Sequence, residues 1–157
     1  MIKASSVRTG RAKDGVLWFS AEDVAKVVND WMLDYSERAK RAAQELNDSA
    51  EHVSAKEGGA MLANTSEAIG AAQALLLLAQ HFAELVHAYM RDDMGILALD
   101  ADNVVKMIQH LSFEYLELSE RAADDTEHVL QAQGATAALL LLSQNFEGLT
   151  RGVDGKS

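Results

Sequence analysis

The sequence predicts an all-α protein, a four-helix bundle built from two duplicated antiparallel helical hairpins, each preceded by a short extended apolar lead. Three observations carry this. The stretch from Gly15 to Val24 is answered by Gly95 to Val104 at an offset of 80, and Ala74 to Phe82 by Ala138 to Phe146 at an offset of 64. The 157 residues contain no proline, so nothing interrupts long helices. Apolar residues make up 48% of the chain and recur at spacings of three and four, the period of one helical face.

The leads 15–19 and 95–99 are apolar and match each other, so they are expected to lie across the bundle ends or to pair as a minimal two-strand contact. The first helix opens at Ser20, a good N-cap, with Asp23 as its box partner and Phe19 stapled onto Val24. Its buried stripe is Val24, Val28, Trp31, Tyr35, Ala39, Ala42 and Leu46. Asn47 to Ser49 offers one stopping point. The phase continues through Ala50 and Val53, which favours a longer helix ending at Gly58 and Gly59.

A second helix is expected from Asn64, with Glu67 in the capping-box position, to about Met90. Its stripe is Ala71, Leu75, Leu78, Phe82, Leu85, Val86 and Tyr89. Residues 91–95 link the two units. The third helix is capped by Asp100, with Leu99 stapled to Val104, and presents Val104, Met107, Ile108, Leu111, Tyr115 and Leu118. After a turn at Asp124 to Glu127, the fourth helix runs through Leu139, Leu142 and Phe146 to Leu149 and frays after Gly152. The expected domains are a flexible basic tail (1–13), one bundle domain (14–152, with repeat units 14–90 and 94–152) and a frayed end (153–157). The change of offset from 80 to 64 gives the first unit 16 extra residues. Shared between two arms, these lengthen each by about 12 Å at the helical rise; the alternative is a long surface loop.

Charge is segregated. Residues 1–13 carry four basic groups and no acid, leaving a body of −14 within a net charge of −10. Such a body repels nucleic acid and anionic lipid and suits a basic protein partner, although acidity also serves solubility. The longest apolar run, around Leu75 to Ala79, is too short to cross a bilayer, so no membrane insertion is expected. The expected compartment is the cytoplasm, with specialised export through the basic tail left open. Without cysteine, thiolate metal sites and cysteine catalysis are excluded.

Leu76 and Leu77 fall far from the centre of the second helix's stripe, and Leu140 and Leu141 repeat the pattern. Two explanations fit: a broad core in which alanines let helices approach closely, or a partner-binding or homodimer surface. On the second explanation, Leu76, Leu77, Leu140 and Leu141 supply apolar contact ringed by Glu84, Asp92 and Asp93.

For chemistry, Glu84 and His87 have the Glu-x-x-His spacing of carboxylate-bridged metal bundles. Their matched positions are Gly148 and Arg151, and both project away from the Phe82–Leu85 stripe. Asp125 and His128 are a looser echo. His52, His81 and His110 form no zinc pattern with them. No phosphate loop, dinucleotide fingerprint or nucleophile elbow is present, and no cofactor is expected. The sequence therefore points to a non-enzymatic helical protein–protein interaction module of chaperone, immunity or adaptor type. A small metal-binding bundle on Glu84 and His87, or a self-assembling structural or secretion-associated subunit, is the alternative.

Overall fold

The computed structural model describes residues 6–49, 54–90, 95–122 and 124–154. Along the chain run β1 (Thr9–Arg11), β2 (Leu17–Ser20), α1 (Ala21–Ser49), α2 (Ala55–Met90), β3 (Ala98–Asp100), α3 (Ala101–Arg121) and α4 (Thr126–Asp154). The architecture is the expected bundle of two antiparallel helical hairpins, with a small antiparallel sheet in the order β1-β2-β3. α1 packs on α2, α3 packs on α4, and the hairpins join through α2 and α4.

Each helix starts where a side-chain oxygen takes an orphan backbone N–H. Ser20 Oγ accepts from Asp23 N at 3.4 Å, Ser54 Oγ from Glu57 N at 3.2 Å, Asp100 Oδ1 from Asn103 N at 3.3 Å and Asp125 Oδ1 from His128 N at 3.3 Å. α1 and α3 leave from strands hydrogen-bonded side by side, so both climb away from the sheet. α2 and α4 both return toward it and therefore run parallel. The core fills the space between them. Trp31, Leu75, Phe82, Ile108, Leu139 and Phe146 are buried there, with the Phe19 ring 5.6 Å from that of Phe146.

The hairpins meet backbone to backbone. A Cβ built on Gly70 would lie 1.9 Å from the Gln131 carbonyl oxygen, and one on Gly134 would lie 2.0 Å from that of Glu67. Only glycine fits at this crossing, and buried Ser66, Ala74 and Ala138 keep its flanks narrow. Gly70 matches Gly134 and Glu67 matches Gln131, so each half meets the other through the partner of its own contact. The sheet shows the same exchange: Phe19 lies opposite its match Leu99, with Trp18 opposite Asp100 and Ser20 opposite Ala98. Gly15 and Gly95 both take positive φ, 84° and 89°. Such exchanges are what a local two-fold axis between α2 and α4 produces.

Three expectations are corrected. First, the basic tail is not free of structure beyond residue 6. β1 pairs with β2, with Gly10 opposite Trp18, and Val7 is buried. The turn is closed by Asp14 and Gly15: Val16 N donates to Asp14 Oδ1 at 3.1 Å, and Ala12 N donates to Val16 O at 2.9 Å. Gly10 is needed because a Cβ there would run into the Trp18 ring. Met1 to Ser5 lie outside the described residues.

The same tail also claims Asp23. Instead of reaching back to cap its own helix, that carboxylate accepts from Arg8 N at 2.9 Å, Nε at 2.7 Å and Nη2 at 3.1 Å, while Ser20 N donates to Arg8 O at 2.9 Å. The Arg8 hydrogen bonds hold the Asp23 carboxyl below its usual range.

Second, α1, described over Ala21–Ser49, does not run on to Gly58 and Gly59, which lie inside α2. Ser54 caps a new helix ahead of the glycines, and Gly58 N donates to Ser54 O at 2.9 Å. Ala50 and Val53 lie outside the described residues. The extra residues lengthen both arms as expected: α1 and α2 have 29 and 36 residues against 21 and 29 in α3 and α4. The first hairpin thus overhangs by roughly 11 Å at the helical rise. Third, α4 continues to Asp154, past the expected fraying at Gly152.

Gly70→Ala forces the hairpins apart and is expected to cost roughly 3 kcal/mol in urea unfolding. Gly148→Ala, with nothing within 4 Å of the new Cβ, is expected to gain up to about 1 kcal/mol from helix propensity. Asp23→Asn is expected to lower the melting temperature at pH 7. Because the folded pKa of Asp23 is depressed, its contribution is complete above the unfolded value of 3.8 and lost as pH falls through the lower folded value. The gap between parent and variant should therefore close below that range in thermal melts followed by circular dichroism.

Candidate functional site

Leu75 to Leu78 are four consecutive leucines on a helix that turns about 100° per residue. Leu75 and Leu78 face the core, which leaves Leu76 42% and Leu77 58% exposed. In α4, Leu139 and Leu142 are buried while Leu140 and Leu141 are 41% and 47% exposed. These four exposed side chains lie outside the buried core cluster. α2 is also, over Ala55–Ala88, long and apolar enough to cross a membrane by length and composition, with 39% of the window buried. The residues that raise its hydropathy include those packed on α1 and α4 as well as the exposed leucines.

Among the described residues, eight of the eleven exposed large hydrophobics form matched pairs: Val16 with Ile96, Leu33 with Phe113, Leu76 with Leu140 and Leu77 with Leu141. The segments of α2 and α4 that carry these leucines lack charge. Residues 68–83 and 128–146 contain no Asp, Glu, Lys or Arg in a chain where these make up 24%. The exposed neighbours are Gln73, Gln80 and His81 on α2, and Ala137, Gln144 and Asn145 on α4. The expected acidic ring thus has one described member, exposed Glu84; Asp92 and Asp93 lie outside the described residues. Gln73 borders α3 across a cavity of about 240 Å³ that Tyr115 and Leu118 also line. Ala137 borders α1 across one of about 370 Å³ lined by Tyr35 and Arg38.

These two cavities correspond. Gly70, Gln73, Tyr115, Leu118, Ala122, His128, Gln131 and Ala132 line the first, and the matched residue of each lines the second. Their chemistry differs: Leu118 and His128 in one stand where Arg38 and Asn64 stand in the other, and the Arg38 guanidinium lies 4.8 Å from the Tyr35 ring centre. Burial, and secondarily Glu114, pushes the Tyr115 phenol above its usual range. A third, open groove of about 590 Å³ runs between α1 and α2 over Ala25, Ala79, Ala83 and Val86. At the matched place in the second hairpin, Val105 and the Arg151–Glu147 pair, 2.7 Å apart, stand where these alanines leave room.

Reactive groups do not converge among the described residues. Four buried hydroxyls among the described residues bond within their own helices. Ser112 donates to Gln109 O at 2.6 Å, Ser119 to Leu116 O at 2.6 Å, Thr65 to Met61 O at 2.9 Å and Ser143 to Leu140 O at 2.8 Å. Glu84 and His87 sit on the exposed side of α2, where His87 lines the α1–α2 groove with Lys26 and Asn29 rather than facing the bundle centre. No cluster of three or more metal-ligating side chains forms among the described residues. His81 meets the edge of the Phe82 ring, His110 pairs with Glu114 at 3.1 Å, and His52 lies outside the described residues. Asp125 and His128 are hydrogen-bonded at the start of α4, which raises the imidazole pKa and lowers that of the carboxyl. Each of these two pairs lies within a few residues of a single helix.

The division of the leucines into core and surface sets is testable. Leu78→Ala is expected to cost about 2–5 kcal/mol, whereas Leu77→Gln should stay within about 0.5 kcal/mol of the parent, both read from urea unfolding at low protein concentration. Comparison with known proteins adds no assignment: no protein-family model, curated protein or solved structure matches this chain.

Proposed function

We propose that this chain is a non-enzymatic protein–protein interaction module that works through the outward leucine faces of α2 and α4. The observation that supports it is the pairing of exposure with absence of charge. Leu76, Leu77, Leu140 and Leu141 reach solvent from two segments that carry no Asp, Glu, Lys or Arg, while the rest of the chain holds the whole net charge of −10. Exposed lysine and glutamate are what a free helix surface usually carries, and their depletion with retained apolar area marks the centre of an interface. Covering such a strip contributes at about 25 cal/mol for each Å² of apolar surface removed from water. The four hydroxyls that bond within their own helices support the same reading, because each donates its proton to a backbone carbonyl.

A photoreactive phenylalanine analogue at position 77 or 141, expressed in the native host, tests this. Both positions are expected to give discrete cross-linked species on illumination, while the same group at exposed Glu117 on α3 gives none. If positions 77 and 141 both cross-link to nothing beyond the level at 117, the reading is wrong.

A further inference from the structure

We infer that the outer edge of β3 is a docking site for an extended segment of a partner protein. The segment adds a fourth strand to the sheet and places one valine-like side chain in the cavity beside it. This site uses residues other than the outward leucines and does not rest on them.

The first half of the molecule already contains the same contact, made by its own chain. β1 covers the outer side of β2: Ser20 N donates to Arg8 O at 2.9 Å and Arg8 N to Asp23 Oδ2 at 2.9 Å, while the preceding Val7 is buried in the core. β3 holds the matching place in the second half, and no described strand lies on its outer side. Ala21 N donates to Leu97 O at 2.8 Å, so Leu97 and Leu99 turn their backbone groups toward β2. By the alternation of an antiparallel ladder, the N–H groups of Ala98 and Asp100 point outward.

The seat is present there and uncovered. Leu85, Leu99, Asn103 and Met107 line a cavity of about 170 Å³ and stand at the places of Leu149, Phe19, Asp23 and Val27. Phe19 and Val27 are buried, whereas Leu99 and Met107 are only half-buried; Ser20 is buried, whereas its match Asp100 is exposed. Outward backbone groups with a side-chain pocket at the rim are what strand addition uses.

Chemistry narrows the occupant. Asn103 stands where Asp23 holds Arg8, so its amide oxygen can still take a backbone N–H but no longer selects arginine. Asp100 and Asp102 share a cavity with Arg11, so no further cation is called for, and the net charge of −10 disfavours an acidic segment. The strand that fits therefore carries a branched apolar residue followed by an uncharged one. A second copy does not supply it. Its Val7 and Arg8 are held against its own core and Asp23, and pairing β3 with β3 sets Asp100 of both copies on one three-residue ladder, like charge near like.

The probe is a synthetic peptide with the sequence of residues 6–11 but glutamine in place of arginine at the third position, titrated into the isotope-labelled full chain and followed by NMR. The Ala98 and Asp100 amides are expected to shift saturably and to exchange more slowly with solvent, and a peptide with aspartate for the valine should do neither. The unaltered arginine peptide should bind the parent equally well. Asn103→Asp should strengthen the arginine peptide alone, by up to about fivefold, the scale of one exposed ion pair. Ala98→Pro removes an outward N–H while leaving the bonds to β2, and should abolish binding in a chain whose circular dichroism is unchanged. No saturable shift at these two amides up to millimolar peptide overturns the inference, as does undiminished binding to Ala98→Pro. Slow exchange of both amides in the dilute free chain overturns it too, because the edge is then covered from within. If slow exchange instead sets in with protein concentration as the mass by light scattering doubles, a second copy is the occupant and the partner segment is ruled out.

Discussion

The close approach of α2 and α4 at Gly70 and Gly134 is the constraint on which the rest of the molecule depends. An αα-hairpin has one buried seam and one apolar side that needs cover, and neither hairpin here can cover its own. By bringing two backbones together without intervening side chains, the glycines let Ala74, Ala138, Leu75 and Leu139 close ranks below the crossing. Main-chain Cα–H groups lie close enough to facing carbonyls to add weak polar attraction. The crossing also fixes which leucines of each run go inside. Had larger residues held the helices further apart, the helices would turn different sides to each other, and the division between core and surface would move with them.

Much of this was legible in the sequence, for reasons that can be named. The stripe of Val24, Val28 and Trp31 and its counterpart Val104 and Ile108 follow from periodicity, and the caps at Ser20 and Asp100 from residue type. Matching of the two leads anticipated a strand contact at Phe19 and Leu99. Other features were read against a stronger competing signal. Asp14 and Gly15 form a turn signal before the aromatic lead, but the tail's basic residues drew it toward disorder. In the fold, Arg8 is held by Asp23, a pairing across fifteen residues that no local pattern contains. The end of α1 was misplaced because its apolar phase persists past Ser49 and Gly58–Gly59 resembles a stop; a Ser54 cap overrode both.

For the candidate faces, sequence reasoning found Leu76, Leu77, Leu140 and Leu141 because four leucines in a row cannot all point one way. It set acids around them by counting charges over the whole chain, when what matters is which side of each helix holds them. The carboxylates gather on α1 and α3, and the central helices stay neutral along much of their length. The corresponding cavities beside Tyr35 and Tyr115 could not be seen in advance, because they depend on how α1 and α3 splay away from the central pair. The sequence contained their one visible trace, a tyrosine at the same place in each unit.

The small sheet bears on the order in which the protein can assemble. Each hairpin joins helices that are near neighbours along the chain and closes over a short connection. β2 and β3 come from opposite halves, with Phe19 and Leu99 separated by an offset of 80. Bringing such distant segments into register carries a larger loop-closure entropy than folding either hairpin. The pairing therefore becomes favourable chiefly once α2 and α4 have met and shortened the effective loop. Strand β1, held beside β2 by a tight turn and by Arg8, is ready before that moment. The sheet thus acts as a late clasp, one side formed early by local contacts and the other closed only when both halves are in place.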